Sequence, residues 1–135
     1  MVTTIRATGT FEVKLAPQPF SDPRPDSMLG RRSIDKTFHG DLEGSSRGEM
    51  LSAGTAVDGS AAYVAIERVS GTLQGRRGEF VLVHRGIMTR GAPELSVTVV
   101  PDSGTEELRG LSGAMSIEIE AGRHSYQLEV TLAGS

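Results

Sequence analysis

Cysteine is absent from the 135-residue chain, which removes disulfides, thiol nucleophiles and Cys-type zinc sites together. Tryptophan is absent too, and two Tyr and four Phe make up the whole aromatic complement, so a stacking platform for bases or sugars is poorly supplied. No apolar run approaches the length of a membrane span. The start, MVTTIRATGTFEV, alternates polar and apolar residues where a signal peptide would need an unbroken apolar stretch. The basic residues are scattered and the formal net charge is -3, so no electrostatic footprint for DNA or RNA appears. The resulting expectation is a soluble cytoplasmic protein with no nucleic acid or membrane partner, no cofactor and no metal. Asparagine is also missing, and twelve of the 14 basic residues are Arg, a bias associated with GC-rich bacterial coding.

What is present is a period of two. Ile5, Ala7, Phe11, Val13 and Leu15 alternate with Arg6, Thr8, Thr10, Glu12 and Lys14, and Tyr126, Leu128, Val130 and Leu132 alternate with Gln127, Glu129 and Thr131. Each is the pattern of a half-buried strand. Further strands are expected at Ser33–Leu42, Arg47–Gly54, Ala61–Leu73, Glu79–Thr89, Glu94–Val100 and Ala114–Glu120. Reversals are expected at Asp58-Gly59, Gly75-Arg76, Gly91-Ala92-Pro93, Gly110 and Ala121-Gly122. Strands at both chain ends leave two edges, and closing the sheet removes them. The fold class is therefore all-β, an eight-stranded antiparallel up-and-down β-barrel of lipocalin-like build. One domain spans residues 1–135. Ala16–Gly30 holds four of the six prolines and is expected as a long loop across one barrel end, either a lid or an unstructured insertion.

The recurring Leu-x-Gly-x-x-Gly spacing, at Leu73 to Gly78 and Leu108 to Gly113, invites comparison with a phosphate cradle. It lacks the Gly-Lys-Ser/Thr ending and leads into no helix, so it is read as turn chemistry, with Leu42-Glu-Gly44 as a looser case. Turn length then sets which residues share a face. A two-residue Gly75-Arg76 loop pairs Glu67 with His84, and a four-residue loop shifts the pairing by two without changing the face. A three-residue loop would instead set Glu67 against Arg85. The even loops are preferred because they gather Val69, Leu82, Ala65 and Tyr63 into one stripe. Glu67 and His84 then interrupt an apolar inner wall. Val64, Ile66, Val81, Val83 and Ile87 lie on the opposite face, which is apolar as well. A homo-oligomer is the expected cover, with the Pro-rich loop as the alternative.

Glu67 and His84 are the one acid–imidazole pair brought together by the strand count, and they are the candidate catalytic residues. Burial would raise the carboxyl pKa and the imidazole would oppose it. The pair could move a proton on a carbonyl compound, or be an inert inward pair. Tyr63, Phe80 and Tyr126 join them as candidate ligand-binding residues lining the barrel interior. His39, Asp41 and Glu43 form a row that suggests a metal, yet two ligands without a third strong one read better as a solvated strand face. His124 sits beside a turn and is expected to be exposed. The serines have no nucleophile-elbow context.

The pattern Glu67-Arg68-x-x-Gly-Thr-Leu-x-Gly-Arg-x-Gly-x-Phe80 followed by His84 resembles a bacterial family, domain of unknown function 3224. The stretches Ala7 to Val13, Thr37 to Gly44 and Val99 to Gly113 are similar to it as well. The resemblance covers nearly the whole chain, except that Ala16–Gly30 departs from the family's usual short acidic connection. It implies a barrel similar to allene oxide cyclase, with no activity or site residues attached. Three functions stand open. The first is a barrel binding a small apolar or carbonyl-bearing molecule in its interior. The second is a cavity enzyme of isomerase or cyclase type using Glu67 and His84, which is fold analogy alone. The third is a filled barrel that acts through its surface or assembly.

Overall fold

Apolar side chains at every second position, punctuated by glycine turns, build eight strands in chain order: β1 Val2–Gln18, β2 Leu29–Gly40, β3 Leu42–Ala53, β4 Ala61–Leu73, β5 Arg76–Thr89, β6 Ala92–Val99, β7 Leu111–Glu120 and β8 Arg123–Ala133. The computed structural model describes residues 2–22, 24 and 28–133. Each strand pairs antiparallel with the next and β8 returns to β1, closing an up-and-down barrel. A 3-10 turn at Glu106–Leu108 is the one helical segment among the described residues. No helix there is long and apolar enough to cross a membrane.

The hairpin turns are short. At the β4–β5 reversal Gln74 and Gly75 both have positive φ, 45° and 85°, which is the two-residue turn whose twist matches that of its flanking strands. The turn is therefore Gln74-Gly75, where Gly75-Arg76 was expected. Sliding a two-residue turn by one position moves the pairing by two, so every side chain keeps its face. Glu67 lies opposite Leu82 and His84 opposite Ala65, diagonal rather than directly paired. The pairing of Glu67 with Arg85 does not occur.

Several strands run longer than their alternation suggests. β3 begins at Leu42, which was assigned to the preceding strand, and Gly44 pairs with Phe38 and Gly71 in mid-strand instead of turning. β1 continues through Ala16, Pro17 and Gln18, paired with Ser33, Arg32 and Arg31, and β2 starts at Leu29. The expected Ala16–Gly30 loop thus loses residues to strands at both ends. A proline is tolerated near a strand end, where few ladder bonds are at stake. The lid expectation falls partly on Pro23, Pro25, Asp26 and Ser27, which lie outside the described residues.

The barrel has two unlike ends. At one, the β2–β3 and β4–β5 turns and the β6–β7 connection close over a core of Phe38, Leu42, Leu73, Phe80, Leu82 and Leu108, all at most 1% exposed. Each such side chain contributes about 1.5–3 kcal/mol by leaving water. Leu108, carried on the 3-10 turn, is the plug. Ser103, Thr105 and Glu107 side chains bond to the backbone N–H groups of Val81, Glu79 and Arg77 and hold that segment on β5. At the other end, the inner positions of the same strands are Tyr63, Met88, Leu95 and Ile119. No side chain from a connecting segment plugs them among the described residues.

Candidate functional site

Between the packed half and the open mouth lies a layer of charge. Four consecutive strands each contribute one inward side chain: Lys36 from β2, Ser46 from β3, Glu67 from β4 and His84 from β5. Glu67 is fully buried. Its Oε2 accepts from Lys36 Nζ at 2.8 Å and meets His84 Nε2 at 2.5 Å, while Oε1 accepts from Ser46 Oγ at 2.7 Å. A carboxylate only accepts, so the ring proton sits on Nε2 in this arrangement. Lys36 Nζ also stands 4.8 Å from the Phe11 ring centroid, a cation–π contact that suits a desolvated ammonium.

These contacts decide the protonation of Glu67. Burial pushes its carboxyl upward. The hydrogen bond from His84 and the charge and hydrogen bond of Lys36 outweigh burial and hold the pKa down, at about 2. The sequence supplied the pair Glu67–His84 but missed Lys36 and Ser46, and with them the direction of the shift. The signal for Lys36 was present: it alternates with Ile34 and Phe38, a lysine in an apolar row.

Tyr63 lies above this layer, half-buried, with its ring centroid 6.4 Å from that of His84. Its cross-strand partner is Gly86, where a Cβ would come within 2.3 Å of the Tyr63 ring. Only glycine lets the ring lie flat on β5. Burial and the nearby Glu67 charge both raise the phenol pKa. Tyr63 and Gly86, with Met50, Met88, Leu95 and Ile119, line a cavity of about 550 Å³ in the mouth.

The other candidates sit elsewhere. Phe80 is sealed in the packed half. Tyr126 is buried there too, its hydroxyl accepting from Leu42 N and donating to the His39 carbonyl, so it staples the β2–β3 turn. His39 pairs with exposed Glu12, Asp41 accepts from Thr8 N and Glu43 accepts from Gly40 N, which accounts for the polar row without a metal. Among the described residues, no group of three or more His, Cys, Asp or Glu side chains could hold a metal ion. His124 is half-buried with its ring 5.1 Å from that of Phe11, where an exposed position was expected; as an inward residue of β8 it packs on the β1 aromatic.

The sequence profile described as "Protein of unknown function (DUF3224)" matches residues 7–130. Among solved structures, a protein of unknown function from the DUF3224 family of Shewanella oneidensis MR-1 is 51% identical, with a TM-score of 0.92, over 98% of this chain and 100% of that one. The search of curated proteins gives no match.

Proposed function

The chain belongs to the DUF3224 family, and we propose that its barrel binds a small, largely apolar molecule in the mouth, with the polar group of that molecule on His84 and Tyr63. One observation carries this reading. A buried Lys36–Glu67–His84 cluster lies next to an apolar cavity of about 550 Å³; none of the three lines that cavity, and Tyr63, which does, links them with its ring 6.4 Å from that of His84. Buried ion pairs are commonly worth less than an apolar replacement of the same volume, so stability alone is a weak reason to keep one. With Nε2 committed to Glu67, Nδ1 is the ring nitrogen left for a ligand. Lys36 cancels the Glu67 charge, so the cluster is neutral with a neutral imidazole and positive with an imidazolium. In the neutral ring Nδ1 accepts from a hydroxyl or an acid proton; in the imidazolium it donates to a carbonyl or carboxylate oxygen, and the Tyr63 hydroxyl can donate to a carbonyl in either case.

An isomerase or cyclase reading of the same cavity assigns the roles unequally. A carboxylate held near pKa 2 and bonded by three donors is a poor base and no acid at neutral pH. Proton transfer would therefore fall to His84, and Glu67 would position it. A third reading, assembly, rests on the outer face, where Leu51, Val64, Ile66 and Val83 line a groove of about 600 Å³ edged by the Arg31–Glu49 ion pair. A second copy of the chain would cover it.

Metabolites retained by the purified protein, identified by mass spectrometry and titrated against wild type and His84→Ala, test the binding reading. A ligand whose affinity falls at least roughly tenfold in His84→Ala supports it. A chain that retains nothing, or a ligand indifferent to His84, refutes it.

A further inference from the structure

The barrel closes at seven seams along ladders and at the eighth by a single pair, Thr98 with Ala114 between β6 and β7. Continuing that register toward the mouth explains why the strands part. Glu94 would oppose Glu118, two like charges on the outer face, and Pro93, which has no N–H to give, would oppose Ile119. Toward the mouth from that bridge, half of the backbone N–H and C=O groups of residues 92–96 and 116–120 point into this seam, and no strand pairing holds them among the described residues.

The inner lips of the seam are apolar. Leu95 is 47% and Ile119 67% exposed, and both line the mouth cavity together with Met88. The outer lips are acidic: Glu94, Glu118 and Glu120. None of the three makes an ion pair among the described residues, although Arg123 follows Glu120 across the β7–β8 turn.

We propose that the β6–β7 seam takes an extended segment of a partner protein as an added strand, with basic residues facing outward and apolar residues facing the cavity. Three features fix that chemistry. Free strand edges offer main-chain hydrogen bonds to an extended chain, and a pocket beneath alternate positions selects its side chains. The acidic lips complement lysine or arginine at the intervening positions. The same charges repel a second copy of this edge, which is how an exposed strand is kept from joining its own kind. A small molecule in the mouth is not required, since the main-chain edges lie at the seam whatever binds on His84.

Fluorescence polarisation with a labelled peptide of about eight residues, alternating Lys or Arg with Val, tests this directly. Two controls accompany it, one with Glu in place of the basic residues and one with Pro at the central Val. Binding of the basic peptide alone, weakened by salt, is expected, and the central proline should cost at least roughly tenfold by removing a main-chain donor. Amide shifts on binding should map to residues 92–96 and 116–120. Glu94 and Glu118 are exposed, so the Glu94→Lys, Glu118→Lys double variant should fold and reverse the preference toward the acidic peptide. The proposal is overturned by failure to bind at millimolar peptide, by equal binding of the proline peptide, by shifts confined to the face around Ile66, or by self-association of the free chain through the seam.

Discussion

The closed and open halves of this barrel are built by the same eight strands with the same alternation, yet one is a packed core and the other a cavity. The inner positions of β4 and β5 run Leu73, Val69 and Phe80, Leu82 in the closed half, then Glu67 and His84, then Tyr63, Gly86 and Met88 at the mouth. Periodicity decides which side chains face inward. Whether they pack or stand open depends on what covers the end: Leu108 on its 3-10 turn covers one, and nothing equivalent among the described residues covers the other. The charged layer lies at the boundary, buried between the apolar core and Tyr63, which lines the mouth cavity.

Breaking that boundary should have the largest effect. Glu67→Gln leaves the Lys36 ammonium buried without its counter-charge, and urea denaturation should show a loss of about 3–5 kcal/mol. A Lys36→Met, Glu67→Leu double variant should lose clearly less than the single variant. If the two lose the same, the ion pair is not what Glu67 contributes. Removing the plug, Leu108→Ala, should cost about 2–5 kcal/mol, since the space it leaves is walled by rigid neighbours.

Acid should act on the boundary as well. The Glu67 pKa is lowered when folded, from 4.5 to about 2, so its contribution is complete above the unfolded value and is lost as pH falls through the folded one. About 3 kcal/mol should disappear between roughly pH 4.5 and 2, and Glu67→Gln should flatten that part of the stability profile. An unchanged slope in the variant would assign the acid sensitivity to other groups. The smallest effect belongs to the mouth. Leu95→Ser changes a residue that is already 47% exposed, so its stability should stay within about 0.5 kcal/mol of wild type. A cost near that of Leu108→Ala would mean that the open half is packed in solution.

Much of this architecture can be read from the sequence. The two-residue period of β1 and β8 marks both chain ends as strands, and glycines mark the hairpins, because both residues of X-Gly turns take positive φ. Two turns fall one residue earlier than expected: Gln74-Gly75 for Gly75-Arg76, and Arg90-Gly91 for Gly91-Ala92-Pro93, whose Ala92 and Pro93 are paired in β6. The face shared by Glu67 and His84 follows from turn parity, which survived a turn misplaced by one residue. Strand ends were less legible, since Ala16, Pro17 and Gly44 carry turn-like signals that neighbouring ladders override.

By itself, then, the sequence determined the all-β class, the inward rows and the presence of an acid and an imidazole among apolar neighbours, because these follow from alternation within one or two strands. Tertiary structure decided the rest. Lys36 reaches Glu67 from two strands away, over β3, where Ser46 is small and Gly48 stands opposite Glu67. That meeting depends on the curvature of a closed sheet, which no local pattern encodes. It reverses the direction in which burial alone would move the Glu67 pKa. The parting of β6 from β7 is likewise a pairing property: Pro93, Glu94 and Glu118 are unremarkable on their own strands and become decisive only when closure sets them opposite one another.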